Sequence, residues 1–103
     1  MRRVFVCSPY RGNVARNVDV AQAICRKIAL AGDAPLAPHL HYPGFLHDDD
    51  EVERATGIAA SITWLAVADL VLVVGEPTEG MKREIAAARS LGLPIEHVPA
   101  RDG

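Results

Sequence analysis

The 103-residue sequence has only two cysteines, one tryptophan, 5% aromatic residues and no strong charge of either sign, its formal net charge being -2. Each shortage excludes something. Cys7 in an apolar run and Cys25 on an apolar helix face are too few for a disulfide framework and read as reduced core thiols, which points to the cytoplasm. A near-neutral chain offers no field for a nucleic-acid polymer or an anionic membrane surface. No apolar run approaches the ~18 residues of a membrane helix, and Met1-Arg2-Arg3 leads straight into a short strand rather than a signal peptide. There is no internal repeat, no low-complexity segment, and no Walker loop or GxGxxG to cradle a nucleoside triphosphate or a dinucleotide. What is left is a half-apolar chain, long enough for one domain over residues 1–103 with one core, and a small, mostly neutral ligand as its expected partner.

Apolar runs and breakers give the order of elements. Val4 to Cys7 reads as strand one, broken by Ser8-Pro9-Tyr10-Arg11-Gly12-Asn13. Asn13 is a natural N-cap, and Val14, Val18, Ala21, Cys25 and Ile28 recur at helical spacing up to Gly32. Ala34 to Pro38 is a second strand, confined to a sheet edge by two prolines that cannot donate to a ladder. Residues 38 to 50 read as a long irregular loop, rich in histidine, aromatic and aspartate side chains. A second helix follows, capped by Asp48, Asp49 or Asp50, with Val52, Ala55, Ala59, Ile62 and Ala66 as its inner face. Leu70 to Val74, apolar on both faces, is expected to be a central parallel strand. A third helix runs from about Thr78 to Leu91 with Gly92 as its stop, and residues 94 to 98 form a last edge strand. This alternation predicts a small three-layer, doubly wound (Rossmann- or flavodoxin-like) parallel sheet of order 2-1-3-4.

Such a sheet binds ligands at the carboxyl ends of its strands, where the winding reverses. Here that is between the loops at 8 to 13 and 75 to 80. On the third helix Gly80 lies four residues before Glu84, and Ala87 and Ala88 three and four after it, which predicts a carboxylate in an open notch. Thr78 and the first backbone N–H groups of that helix offer a place for hydroxyls or a phosphate. From the facing loop, Ser8, Tyr10, Arg11, Gly12 and Asn13 join the candidate site: Arg11 can clamp an anion with its planar fork and Gly12 lets the backbone approach closely. Tyr42 and Phe45 can form a wall for a nucleobase or cover the core. Trp64 reads as core or as a dimer interface. His39, His41, His47 and Asp48 to Asp50 lack the spacing of a defined metal site, so neither metal nor other cofactor is expected.

The run Cys7-Ser8-Pro9-Tyr10-Arg11-Gly12, the Trp64-Leu65 then Ala68-Asp69 entry to the apolar strand, and Thr78-Glu79-Gly80 followed by Glu84-Ile85 resemble the nucleoside 2-deoxyribosyltransferase superfamily, which includes the 2'-deoxynucleoside 5'-monophosphate N-glycosidases. The likeness is closest to its short phage and bacterial members, which share stretches like His39 to Tyr42 and Glu79 to Ile85, and it covers about residues 4 to 95. It implies that Glu84 is the nucleophile that attacks C1' of a deoxyribonucleoside and holds a covalent glycosyl intermediate. It also implies that Thr78 and Gly80 hold the sugar or its 5' group and that Arg11 favours a 5'-phosphate. One position departs from the family: Ser61 stands where an aspartate is usual, and a serine is no general acid near neutral pH. Asp48, Asp49, Asp50 and Asp69 are the other candidates for that role.

Two readings follow, with a nucleoside or nucleotide as ligand in both. One is N-glycosidic bond hydrolysis or deoxyribosyl transfer; the other is a non-catalytic module that binds a nucleotide derivative, which Ser61 and the short chain favour. A flavodoxin- or receiver-like signalling module fits the winding but lacks an acidic cluster at the end of strand one. Two edge strands and a site built on the rim predict a homo-oligomer, a dimer or larger.

Overall fold

Four short strands pair in parallel in the order β2-β1-β3-β4, as the alternation of the sequence predicts. The computed structural model describes residues 1–100, so the last three residues of the expected 1–103 domain lie outside the described part. The strands are β1 (Arg3–Cys7), β2 (Ala34–Leu36), β3 (Leu70–Val74) and β4 (Ile95–Val98). In register, Phe5 of β1 stands beside both Leu36 and Val71, and Val71 stands beside Ile95. β1 and β3 are central and almost fully buried, because both of their faces carry apolar side chains that only helices on both sides can cover.

Parallel strands need crossovers, and the crossovers supply the outer layers. Helix α1 (Val14–Leu30) covers one face through Val20, Ile24, Cys25 and Ile28, against Val4, Val6, Leu70, Leu72 and Val74. Helices α3 (Glu51–Trp64) and α4 (Glu79–Ser90) cover the other, where Phe5, Cys7, Val71 and Val73 meet Leu65, Met81, Ile85 and Ala88. The two cysteines are free and lie in opposite layers. Asn13 accepts from the N–H of Arg16 at 3.2 Å and Asp50 from those of Val52 and Glu53 at 2.9 and 3.0 Å, so both expected caps satisfy helix donors that have no partner in the helix.

Several local expectations are corrected. Residues 38 to 50 are not an irregular loop throughout: Pro38 at the first helical position starts a one-turn helix α2 (Pro38–His41), followed by a 3-10 turn over Tyr42–Gly44. The second long helix, expected to stop near Ala68-Asp69, ends at Trp64, and Leu65–Val67 tightens into another 3-10 turn. Its inner face is rotated from the expected one. Val52 is 76% exposed and Ala55, Ala59 and Ala66 also face solvent, while Ser61 and Leu65 are buried and Arg54, Gly57 and Ile58 turn inward. A helix this rich in alanine carries little phase information, and the fully buried Leu65 sets its rotation instead. Trp64 is not core: it is 46% exposed, and its Nε1 donates to Tyr42 Oη at 2.8 Å. No helix among the described residues is long and apolar enough to cross a membrane.

Candidate functional site

Both central strands end on residues that turn the chain sharply. After β1, Gly12 adopts φ 98 and sets up the Asn13 cap of α1; after β3, Gly75 adopts φ 69. A Cβ at Gly75 would lie 2.8 Å from that of Ala100, so this position needs glycine for space as well as for backbone angle. From these turns the two segments diverge to opposite faces of the sheet, which opens a crevice between them. Thr78 then starts α4, its Oγ1 accepting from the N–H of Met81 at 3.3 Å while its own N–H meets Met81 Sδ at 3.5 Å.

Glu84, in the second turn of α4, is the residue the fold treats most unusually. It is 2% exposed, not set in an open notch as its small helix neighbours predict. Gly80 leaves room above it, but α3 fills that room: a Cβ at Gly80 would lie 3.6 Å from Arg54 Nη2 and 3.7 Å from Ile58 Cδ1. The hydrogen bond made by the carboxylate among the described residues comes from the Cys7 thiol, with Sγ 3.4 Å from Oε1. Burial pushes the Glu84 pKa up to about 7, and the Cys7 hydrogen bond offsets only part of this. Cys7 is itself pushed upward by burial and by the Glu84 charge, so it acts as a thiol donor.

A pH dependence of stability follows from this shift. The folded value lies above the unfolded value of 4.5, so between 4.5 and about 7 the native chain holds a proton that the unfolded chain has released. The associated stability is fully present below the lower value and is lost as pH rises through the upper one, by ~3 kcal/mol. Urea unfolding of the wild type and of Glu84→Gln, at acid and at mildly alkaline pH, checks this. The wild type should lose more stability on going alkaline than the glutamine variant; parallel curves would show that the carboxyl is not desolvated.

The crevice itself is narrow, about 40 Å³, and is lined by Tyr10, Arg11, His39, Asp48, Arg54, Ile58, Thr78 and Gly80. A second small cavity continues it past His39 to Tyr42, Pro43, Leu46, Gly57 and Ser61. Of the residues singled out from sequence, Tyr10, Arg11, Thr78 and Gly80 therefore converge, and Tyr42 and Ser61 line the extension. Ser8 and Glu84 are buried and are not part of this lining, and Ser8 Oγ is a buried side-chain oxygen without a partner among the described residues. Asn13 caps α1 and Gly12 is exposed at the turn, so both shape the loop rather than the floor. Arg11 is already engaged: its Nε donates to Asp48 Oδ2 and its Nη2 to the Asp48 carbonyl oxygen, each at 2.7 Å.

Arg54 is not among the residues that the sequence singles out, and His39 figures there among possible metal ligands and in the stretch His39 to Tyr42 that carries the resemblance. The available signal was spacing, because Arg54 lies four residues before Ile58 and seven before Ser61, on one helix face. His39 Nδ1 contacts the Ser8 carbonyl oxygen, which can only accept, so Nδ1 carries the proton and Nε2 is left as the acceptor. Burial lowers the His39 pKa, which favours the neutral ring, and Tyr10 packs against it at 5.8 Å. Among the four aspartates considered as acids, Asp48 lines the crevice, Asp50 is the α3 cap, and Asp69 accepts from the backbone N–H of Arg3 at 2.7 Å, at the opposite end of the sheet. No group of three His, Cys, Asp or Glu side chains among the described residues is placed to share a metal ion.

A family model described as a domain of unknown function (DUF7768) matches residues 2–98. Comparison with curated proteins found no match. Among solved structures, the chain is similar to a 2-deoxyribosyltransferase from Bacillus psychrosaccharolyticus, with TM-score 0.67 and 17% identity over 94% of this chain and 72% of that one. It is also similar to a 2-desoxiribosyltransferase from Leishmania mexicana, with TM-score 0.69 and 12% identity over 96% of this chain and 65% of that one. At these identities the likeness is one of fold, and it matches the doubly wound sheet described above.

Proposed function

The chain belongs to the DUF7768 family, and from that premise we propose that it cleaves or transfers the N-glycosidic bond of a deoxynucleoside or its 5'-monophosphate, with Glu84 as nucleophile. The observation that carries this reading is the desolvated Glu84 carboxyl at the carboxyl end of β1 and β3, beside the Cys7 thiol and beneath Gly80. Carboxyl groups perturbed by burial cluster at functional sites, and this one attacks in its ionised form, which is gained as pH rises through about 7. In the reaction a Glu84 oxygen bonds to C1' and the C1'–N bond breaks, its electron pair leaving with the base. Water or a second base then attacks C1' and releases the carboxylate. Thr78 and Gly80 hold the sugar or its 5' group at the positive end of α4, and Arg11 receives a 5'-phosphate.

The second reading is a binding module for a nucleotide derivative without catalysis. It is favoured by Ser61, whose hydroxyl donates to the Gly57 carbonyl at 2.8 Å and supplies no acid, and by Arg54 and Ile58 packed over Gly80. The experiment that separates the two incubates the protein with deoxynucleosides and their 5'-monophosphates, with and without an acceptor base, and follows free base by chromatography. Base release that disappears in Glu84→Ala supports the enzyme; ligand binding with no release from either protein supports the binder.

A further inference from the structure

Two arginines in the crevice share one counter-ion that the glycosyl chemistry does not use. Arg11 reaches Asp48 Oδ2 at 2.7 Å, and Arg54 Nε lies 3.9 Å from Asp48 Oδ1, so the two guanidinium groups flank one carboxylate. These arginines also form the wall between two cavities. On one side is the narrow crevice, with Thr78 and Gly80 at the start of α4. On the other is a cavity of about 300 Å³ in which Arg11 and Arg54 are joined by Arg83, with Glu51 and Ala55 completing the lining. Arg83 has no ion-pair partner among the described residues. Guanidinium groups converge in this way where an anion holds them, and their planar forks suit phosphoryl oxygens. Asp48 and Glu51 supply two negative charges to a place built from three positive ones.

We propose that Arg11, Arg54 and Arg83 form a site for two linked phosphoryl groups, a diphosphate or longer chain on a nucleotide, and that the Asp48 carboxylate competes with the ligand for Arg11 and Arg54. One phosphoryl group sits between Arg11 and Arg54, beside Thr78 and Gly80; the second lies in the outer cavity against Arg83. Only the organic part of the ligand rests on the nucleotide reading of the site, since the anion site can be tested with inorganic ions.

Titration calorimetry with inorganic phosphate and inorganic pyrophosphate at low ionic strength provides the test. The wild type should bind pyrophosphate about tenfold more tightly than phosphate, and added salt should weaken both. Arg83→Ala, on an exposed helix surface, should weaken pyrophosphate about tenfold and leave phosphate nearly unchanged. Asp48→Asn should tighten pyrophosphate, because it removes the internal competitor. A wild type that does not prefer pyrophosphate, an Arg83→Ala protein that binds it as well as wild type, or an Asp48→Asn protein that binds it less well would each overturn the proposal. Base release without pyrophosphate binding overturns the anion site and leaves the glycosyl chemistry standing; pyrophosphate binding without base release does the reverse.

Discussion

Glu84→Gln is expected to lower base release by a factor of about a thousand or more while leaving the protein folded. The amide keeps the shape of the carboxyl and an oxygen for the Cys7 thiol to donate to at the 3.4 Å position, but it cannot form the glycosyl ester. The variant also lacks the desolvation penalty of an ionised Glu84, so at mildly alkaline pH it should resist urea at least as well as the wild type. In the wild type, the rate should rise with pH through about 7 as the carboxylate forms, because only the ionised group attacks. Chromatography of released base measures the rate, and mass spectrometry of the quenched protein should find a 2-deoxypentose adduct on Glu84 that the variant lacks. Equal rates in the two proteins would sink the nucleophile assignment, and release from neither would leave the binding reading.

The largest loss of stability is expected at Phe5. Its side chain is 1% exposed, at the centre of the layer formed by Leu65, Val71, Met81 and Ile85, and β1 pairs with strands on both sides. Phe5→Ala removes a ring from a place that β1, β3, α3 and α4 together enclose, and a rigid sheet cannot collapse into the gap. The expected loss is about 3–5 kcal/mol, out of the ~5–15 kcal/mol that holds a domain of this kind together. Thermal unfolding should shift downward by about 15 °C or more. Phe45→Ala provides the contrast: that ring is 59% exposed and touches His41 and Tyr42 edge-on, so its removal should change stability by no more than about 0.5 kcal/mol. If the two variants were equally stable, the core would not lie where the sheet and helices put it.

Strand order, the starts of the three long helices and the position of the crevice were legible because they rest on short-range patterns. The doubly apolar run Leu70 to Val74 could only be a covered central strand, Pro35 could only sit in an edge strand, and Asn13 and Asp50 cap their helices from adjacent residues, whereas Pro38, expected to close that strand, starts α2. The rotation of α3 was not legible, since alanines on all sides look alike until Leu65 is seen to lie against the sheet. That single rotation decided several other features. It brought Arg54 and Ile58 over Gly80, closed the notch expected above Glu84, and put Arg54 beside Asp48.

By itself, then, the sequence determined the layers of this protein and the two loops between which a ligand meets it, because burial pattern, proline placement and helix caps act within a few residues along the chain. The tertiary structure alone decided the electrostatics of the site. Whether Glu84 is solvated or desolvated, and whether Arg11 is free or held by Asp48, depends on residues more than twenty positions apart in the chain. Desolvation and charge pairing are set by whatever side chains close packing brings within a few ångströms, and no local pattern encodes that.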